Sequence, residues 1–267
     1  MTDVQLASQV GAKVERRLDG AVAILTMRYP PYNLLDPELS KLVIDGLRWA
    51  AAEGARAIVL RSALRHFSAG ADLDPMLDDA ERGDGVIDWP MLEVLRTFEE
   101  LPVPIVAAVH GVCVGGGLEL ALACDLVVAA ESAKLGSVEA TVGLHPLMGA
   151  IQRVAQRAGA ARAKEMAMLA RRHDARTLER WNVINRVVED EHLDPAAMTI
   201  ARELAGGPTI AHAATKALVA VAVSRGVQAA DEAMAELQKP IFRSDDFRSA
   251  VESFQTNGPG MARFAGR

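Results

Sequence analysis

The stretch that decides the fold is a glycine-rich passage near the middle of the chain, Gly111-Val112-Cys113-Val114-Gly115-Gly116-Gly117-Leu118-Glu119-Leu120. An apolar run at 103–109 precedes the passage and predicts a strand, and a helix is predicted to begin just before Glu119. Consecutive glycines let the backbone approach a ligand closely, because they have no side chain. The N–H groups of a first helical turn have no acceptor within the helix. Together, the strand, the glycines and the helix start predict a site for negative charge.

The negative charge at this site could be permanent, as on a phosphate, or transient, as on an oxyanion formed during a reaction. Glu119 favours the second alternative, because a carboxylate in the first helical turn would repel a phosphate but could move a proton beside an oxyanion. The G-x-G-x-x-G spacing of dinucleotide sites is absent, and no G-K-[ST] follows a glycine loop. The passage is therefore a candidate catalytic site.

Composition bounds the class of protein. The chain has 267 residues, of which 50% are hydrophobic and 4% aromatic, so it can bury a large aliphatic core. Its net charge of −6 gives no support for binding nucleic acid, which requires a basic face.

The 2 cysteines make no disulfide framework and fit a reducing compartment. No apolar run approaches the roughly 20 residues of a membrane span, and residues 1–17 lack a signal pattern. We expect a cytoplasmic protein with neither membrane nor nucleic-acid partners.

The first half of the chain predicts strands that alternate with helices. Asp19-Gly20 lies between the segments 13–18 and 21–27 and is a strong signal for a β-hairpin. Asp36 followed by Pro37 predicts the N-cap and first position of a helix. The remaining predictions here are strands at 57–61, 103–109 and 126–130, a mobile surface loop at 78–88, a helix at 89–101 and a turn at 134–136. The alternation favours parallel βαβ units.

The second half of the chain, from Gly149 on, predicts mostly helices, apart from one apolar run at 183–188. The predicted helices lie at 195–205, 209–224, 227–238 and 245–255. The sequence therefore predicts a sheet-rich N-terminal core followed by a helical C-terminal part.

Two glycine-bearing turns each follow a predicted strand. Gly70-Ala71-Asp72 comes after the strand at 57–61, and the glycines 115–117 come after the strand at 103–109. In a parallel sheet both turns would lie at the carboxyl ends of their strands, where α/β sheets bind ligands. One backbone N–H from each turn could then converge on a single oxygen and form an oxyanion hole.

Glu119 and Glu139 are the candidate carboxylates. Paired carboxylates around one reactive carbon can divide acid and base roles, and a shared apolar pocket would raise the pKa of at least one. Structural alternatives stay open: Glu119 as a partner of the helix dipole, Glu139 as a solvated loop residue and Asp72 as an N-cap. The glycines 115–117 could equally serve close packing of a helix on a sheet.

A metal site is not predicted. His110 and Cys113 have a spacing that suits metal ligands, but no second pair completes a site. His145, between Leu144 and Pro146, is interpreted as structural, with a place in the pocket as the alternative.

Several segments together resemble those of the crotonase family, the enoyl-CoA hydratase/isomerase superfamily. The resemblance extends from about Lys13 to the C-terminal end. The matching segments are Phe67-Ser68-Ala69-Gly70-Ala71-Asp72-Leu73, Pro104-Ile105-Val106-Ala107-Ala108-Val109-His110-Gly111, Gly115-Gly116-Gly117-Leu118-Glu119-Leu120-Ala121, Cys124-Asp125-Leu126 and Leu135-Gly136-Ser137-Val138-Glu139. Glu119 and Glu139 are 20 residues apart, as in hydratases of the family. This combination is far more specific than any one glycine cluster.

The resemblance implies a substrate that is an acyl thioester of coenzyme A. The backbone N–H groups of Ala71 and Gly116 would hold the thioester oxygen, in an oxyanion hole. Glu119 and Glu139 would be the catalytic carboxylates that add water across a 2-trans double bond. Further residues implied to bind substrate are Ala69, Gly70, Asp72, Leu73, Asp74, Gly115 and Leu147. Neither a metal nor a cofactor is implied, because coenzyme A enters with the substrate.

The resemblance also implies an α/β fold, a crotonase-like spiral core of ββα turns with a C-terminal helical trimerisation region. We expect the core and its active site over residues 1–195 and the helical oligomerisation region over 196–267. The implied assembly is a homo-oligomer, either a trimer or a dimer of trimers.

Two departures from the family pattern keep the reaction open. Hydratases usually have a Pro-Gly-x-Gly-Gly-x-Gln-Arg run after the second glutamate, and here Leu147 replaces its first glycine and adds bulk on the water side. The later run at 181–188 lacks the family's glycine. Hydration of 2-trans-enoyl-CoA is favoured. The alternatives are double-bond isomerisation, other enolate chemistry such as hydrolysis or decarboxylation, and a non-catalytic acyl-CoA-binding or scaffold protein.

Overall fold

The protein is described from a computed structural model, which covers residues 12–82 and 89–267. Its strands are β1 (Val14–Asp19), β2 (Val22–Met27), β3 (Ala57–Ser62), β4 (Ile105–Val109), β5 (Val112–Val114), β6 (Leu126–Ala130), β7 (Lys134–Gly136), β8 (His173–Asp174) and β9 (Arg186–Val188). Its α-helices are α1 (Pro37–Ala52), α2 (Asp74–Arg82), α3 (Met91–Glu100), α4 (Gly116–Ala123), α5 (Ala150–Ala158), α6 (Ala160–Leu169), α7 (Ala175–Arg180), α8 (Leu193–Gly206), α9 (Thr209–Arg225), α10 (Val227–Leu237), α11 (Lys239–Arg243) and α12 (Asp245–Asn257). Strands and helices alternate through the first half, as predicted.

The larger sheet has the strand order β1-β2-β3-β4-β6-β9. β1 and β2 form the predicted antiparallel hairpin, with Asp19 paired to Val22 across the turn. The later neighbours pair in parallel, which confirms the prediction from the alternation of strands and helices. β2 and β4 are buried along their whole length, as expected for strands covered on both faces. The sheet therefore brings the segments that follow β3 and β4 to one edge.

A smaller sheet, in the order β5-β7-β8, corrects two predictions. The predicted turn at 134–136 is wrong: these residues form β7, which pairs in parallel with β5. The predicted strand at 103–109 does not lead directly into the glycines, because β5 lies between them. β5 and β7 have three residues each, too few for an apolar alternation to be visible in the sequence. β5 gives the start of α4 a fixed place in the structure.

Two further predictions change at their boundaries. The predicted loop at 78–88 is wrong for 78–82, which belong to α2, and 83–88 lie outside the described residues. The Asp72 side chain, two positions before this helix, accepts a hydrogen bond from the N–H of its first residue, Asp74, at 3.2 Å, which forms an Asx turn. The apolar run 183–188 forms a strand only in its second half, β9.

The C-terminal helices follow the predicted pattern. Helices predicted at 195–205, 209–224, 227–238 and 245–255 correspond to α8, α9, α10 and α12. α8 buries Ala197, Ala201 and Ala205 and packs against β3, β4 and β6. It spans residue 195, so the expected division between core and oligomerisation region falls inside a helix that packs on the sheet. The helices beyond α8 expose apolar side chains, Val219, Val223, Val227, Met234, Phe242 and Phe254.

Over the two described ranges, no helix combines the length and the apolar character needed to cross a lipid bilayer.

Candidate active site

A cavity of about 220 Å³ lies beside the start of α4. It brings together most residues predicted for the site: Ala69, Gly70, Ala71, Leu73, Gly115, Gly116, Glu119, Glu139 and Leu147. Asp72 and Asp74 are not among its lining residues: Asp74 is the first residue of α2, and Asp72 lies two positions before it. The structural alternative for Asp72, an N-cap, does not describe its geometry, because an N-cap side chain accepts the second or third N–H of a helix and Asp72 accepts the first.

The backbone N–H of Ala71 points away from the chain segment at Leu35, with which Ala71 pairs. Leu35 donates its N–H to the Gly70 carbonyl at 2.8 Å and accepts the Asp72 N–H at 2.6 Å. These two hydrogen bonds form a parallel bridge between Leu35 and Ala71. In such a bridge the N–H of the central residue points to the other side. Within residues 12–82 and 89–267, the Ala71 N–H has no acceptor, so it is free to donate to a ligand.

Gly116 supplies the second N–H, from the first turn of α4. The Glu119 N–H already uses the Gly115 carbonyl, at 3.0 Å, whereas the Gly116 N–H has no acceptor in the described part of the chain. A Cβ placed on Gly116 would lie 3.7 Å from the Ala71 backbone nitrogen. The two unpaired donors therefore sit side by side, as an oxyanion hole requires.

Glycine is required at positions in the run 115–117 for different structural reasons. Gly115 has φ +53°, a conformation that residues with side chains rarely adopt. A Cβ on Gly117 would lie 2.7 Å from the Ser68 carbonyl oxygen, so Gly117 is required for close packing of α4 on the loop before Ala71. Packing and site geometry thus coexist here, and the packing fixes the distance between the two turns.

Glu119 is held rigidly at the wall of the cavity. It is 4% exposed, and its Oε1 accepts hydrogen bonds from the backbone N–H groups of Met148 at 2.6 Å and Ala150 at 3.3 Å. Burial raises its pKa to about 7, because the charged form loses hydration, and the nearby Glu139 carboxylate adds to the rise. The two backbone hydrogen bonds and the Arg153 guanidinium act in the opposite direction. Near neutral pH, this carboxyl is therefore present in both protonation states.

Glu139 also lines this cavity. It begins a 3₁₀ turn, Glu139–Val142, and its Oε2 accepts a hydrogen bond from the Ser137 hydroxyl at 2.8 Å. Its Oε1 is buried and has no donor among the described residues. A Cβ on Gly115 would lie 3.8 Å from this oxygen. A buried acceptor without a partner is rare in folded proteins, and at a cavity wall it indicates a place for a ligand or a water.

Several cavity residues were not predicted. Trp89, interpreted from the sequence as packing, lines the cavity and donates its indole N–H to the Ser40 hydroxyl at 2.8 Å. The other unpredicted lining residues are Leu35, Met76, Met91, Val138, Thr141, Val142, Leu144 and Met148. They come from distant segments that share no spacing, so no local signal could identify them. Most are apolar, which suits the hydrocarbon part of a ligand.

The remaining histidine and metal candidates lie away from the cavity. His145 is exposed, and its Nδ1 lies 2.7 Å from the Pro146 carbonyl oxygen. His110 contacts the Leu64 carbonyl through Nε2 at 2.7 Å, while Cys113 is buried. Across the described ranges, the potential metal ligands that approach one another are Glu189, Glu191 and His192, and all three are exposed.

Most of the chain matches a family of known proteins. A family model described as enoyl-CoA hydratase/isomerase matches residues 17–260. The chain belongs to the enoyl-CoA hydratase/isomerase family. The enoyl-CoA hydratase subunit I of Geobacillus kaustophilus, a solved structure, superposes with a TM-score of 0.88 at 30% identity, covering 96% of this chain and 99% of that one. The α/β architecture is thus the crotonase fold, a spiral of ββα turns with a helical C-terminal region.

Members of this family with different names are equally similar to the chain. A Rhodobacter capsulatus protein named "Probable enoyl-CoA hydratase" is 31% identical over 95% of this chain and 98% of its own length. The 1,2-epoxyphenylacetyl-CoA isomerase of Escherichia coli is also 31% identical, over 89% of this chain and 93% of its own length. Overall similarity therefore identifies the enoyl-CoA hydratase/isomerase family, and the choice of reaction depends on the site itself.

Proposed function

We propose that this protein hydrates 2-trans-enoyl-CoA to 3-hydroxyacyl-CoA. The family implies an acyl-CoA thioester as substrate. The observation that supports hydration is that Glu119 and Glu139 line one cavity, together with Ala71 and Gly116, whose N–H groups are unpaired among the described residues. An isolated carboxylate could move one proton, whereas adding water requires one proton to leave the water and another to reach the adjacent carbon.

The proposed reaction begins when the thioester oxygen accepts hydrogen bonds from Ala71 and Gly116. One carboxylate takes a proton from a water molecule, whose oxygen bonds to Cβ as the double-bond electrons move to the thioester oxygen. The two N–H groups stabilise this enolate, a contribution typically worth about 3–4 kcal/mol for each donor. The other carboxyl then delivers a proton to Cα, so that one water has been added overall.

The protonation behaviour of Glu119 suits this cycle. With a pKa of about 7, its carboxyl can both release and take up a proton near neutral pH. The unpartnered Oε1 of Glu139 offers an acceptor for a water in the cavity. We therefore place the water between the two carboxyls.

Double-bond isomerisation is the second candidate, and Leu147 is the observation that favours it. Its side chain lines the cavity where the family's hydratases usually have glycine, so it occupies space near the proposed water. Isomerisation moves a proton between two carbons and requires no water.

We further propose a homo-oligomer, a trimer or a dimer of trimers, located in the cytoplasm. The exposed apolar side chains of α9 to α12, such as Val227 at 71% and Phe254 at 62%, support contacts between copies. The buried, free thiols of Cys113 and Cys124 fit a reducing compartment. Beyond the coenzyme A of the substrate, we propose no cofactor and no metal.

The decisive experiment measures hydration of crotonyl-CoA by the wild type, by Glu139→Gln and by the exposed-site control Glu53→Gln. We expect Glu139→Gln to lose roughly 10²- to 10⁴-fold in kcat while acyl-CoA still binds, and Glu53→Gln to match the wild type. Turnover that is unchanged in Glu139→Gln would contradict the two-carboxylate mechanism.

Solvent labelling separates the two candidate reactions. In water enriched in heavy oxygen, hydration of 2-trans-enoyl-CoA places the solvent oxygen in the product, whereas isomerisation of 3-enoyl-CoA leaves the product unlabelled. Tight binding without turnover of either thioester would instead favour a non-catalytic member of the family.

A further inference from the structure

Arg153 lies in α5, outside the catalytic cavity that Glu119 lines. It is half-buried in the first turn of α5 and is not among the residues that line the cavity. Its Nη1 donates a long hydrogen bond, 3.4 Å, to the Gly149 carbonyl. A Cβ on Gly149 would overlap this nitrogen, so the guanidinium occupies the space that a side chain would take. Gly149 has φ +91°, so both its conformation and its neighbour exclude other residues.

This contact lies at the centre of the segment that binds Glu119. Gly149 separates Met148 from Ala150, and the N–H groups of these two residues both donate to Oε1 of Glu119. A displacement of Gly149 would therefore shift both donors together. The Arg153 guanidinium packs against the one residue whose position sets the geometry of the carboxylate.

The charge of Arg153 is unusual for its place in the helix. A cation in a first turn interacts unfavourably with the helix dipole, and the first turn of α5 contains no acidic residue. Among the described residues, no carboxylate lies within ion-pair distance of its guanidinium. Helix stability and salt bridging therefore give no reason for an arginine here.

The charged groups that act on this carboxyl can be named. Burial is the main cause that raises the pKa of Glu119; the Glu139 carboxylate adds to this rise, and the Arg153 guanidinium opposes it. Burial lowers the pKa of Arg153, and the carboxylates of Glu99 on α3 and of Glu119 oppose that shift. The guanidinium thus partly offsets the burial of Glu119 without entering the cavity.

We propose that Arg153 is a positioning residue for Glu119. It holds the Met148–Ala150 backbone in place, and its positive charge stabilises the ionised carboxylate. The inference deepens the proposed function and rests on it for its catalytic consequence. The backbone contact and the effect of the charge are properties of the protein without substrate, so they can be tested without turnover.

The test compares Arg153→Met and Arg153→Lys with the control Arg157→Met. Arg157 lies one helical turn further along α5 and donates to the Val183 and Leu122 carbonyls, each at 3.0 Å, so its loss costs hydrogen bonds elsewhere. For Arg153→Met we expect kcat on crotonyl-CoA to fall roughly 10- to 100-fold, with KM within about twofold. Arg153→Lys should recover part of this loss, and Arg157→Met should reduce thermal stability with little change in kcat.

A second readout does not require turnover. The carboxyl carbon of Glu119, labelled with ¹³C and assigned through Glu119→Gln, is titrated by NMR in the full-length protein. Removing the positive charge in Arg153→Met should move the midpoint to higher pH, whereas Arg153→Lys and Arg157→Met should keep it near the wild-type value. Arg153→Gln, which keeps a polar side chain without the charge, is a second variant and should also move the midpoint to higher pH.

The outcomes are distinct. A folded Arg153→Met protein with the wild-type midpoint and kcat overturns the inference. If Arg153→Met does not fold, a wild-type midpoint and kcat in Arg153→Gln overturn it. A wild type that turns over no enoyl-CoA overturns the proposed function, while an upward midpoint shift in Arg153→Met would still support the link between Arg153 and Glu119.

Discussion

The Met148 N–H donates to Oε1 of Glu119 at 2.6 Å, across 29 positions of sequence. This hydrogen bond joins the start of α4 to the segment before α5 and fixes one oxygen of a nearly buried carboxylate. The same side chain lines the cavity. A rigid carboxyl costs no further ordering when a substrate binds, which favours proton transfer at a defined place.

The stability of the protein should depend on the ionisation of Glu119. Because its pKa in the folded protein is about 7, above the value of about 4.3 in an unfolded chain, ionisation opposes folding. The contribution of this group to stability is greatest at acid pH and is lost as the pH rises through about 7. Glu119→Gln keeps an oxygen for the Met148 and Ala150 N–H groups but cannot ionise.

We therefore expect Glu119→Gln to exceed the wild type in free energy of unfolding at pH 8 by up to about 3 kcal/mol. The difference should become small near pH 4, where both states of the wild type are largely protonated. Urea denaturation at a series of pH values measures it, with Glu53→Gln as the control. A difference that stays constant with pH would contradict burial as the source of the raised pKa.

Substituting adjacent glycines should separate catalysis from folding. A Cβ on Gly116 would make ordinary contacts, 3.7 Å from both the Ala71 nitrogen and Leu35, so Gly116→Ala should fold. It would crowd the oxyanion, and we expect kcat to fall by about 10²-fold or more. A Cβ on Gly117 would lie within 2.9 Å of three Ser68 atoms, so Gly117→Ala should lose about 1–3 kcal/mol of stability.

Thermal unfolding and crotonyl-CoA turnover, measured on both glycine variants, check this contrast. A Gly116→Ala protein that is stable and fully active would exclude the proposed hole. Wild-type stability in Gly117→Ala would show that the loop at Ser68 can move away from α4.

Shortening Leu147 should shift the balance between the two candidate reactions. Leu147→Ala removes side-chain bulk from the cavity wall but keeps the backbone, so a water should fit more easily. We expect the ratio of hydration to isomerisation to rise by roughly 10-fold, within the effect of a few methylene groups in a pocket. Leu144→Ala, which enlarges the same cavity elsewhere, is the matched control. Equal ratios in the two variants would mean that Leu147 does not control water access.

Trp89 should limit the length of the acyl chain. It lines the cavity, and its position is fixed by the hydrogen bond to Ser40. Trp89→Ala should therefore improve kcat/KM for longer enoyl-CoA substrates relative to crotonyl-CoA, by about 10-fold per well-accommodated methylene. Assays with a series of chain lengths test this expectation, and Ser40→Ala should move the preference in the same direction but less. A preference unchanged in Trp89→Ala would place the acyl tail elsewhere.

Local sequence signals were sufficient for much of the fold. Asp19-Gly20 predicts the hairpin because few residues adopt its turn conformations, and Asp36 predicts the start of α1, where its side chain accepts the Leu39 N–H at 2.6 Å. The short strands β5 and β7 had no such signal, because their pairing depends on residues far apart in the chain. Only the three-dimensional structure shows these two strands.

The sequence by itself determined the hairpin and most of the longer strands and helices, the crotonase family through its combined motifs, and the identity of two carboxylates and two backbone donors as candidates. Tertiary structure decided that Ala71 and Gly116 lie side by side, that Met148 and Ala150 hold Glu119, and that Oε1 of Glu139 has no partner within the described residues. The physical reason is the range of the interactions. Capping, turn and periodicity preferences act over a few neighbouring residues, whereas burial and the direction of a backbone N–H depend on segments that meet only in the folded chain.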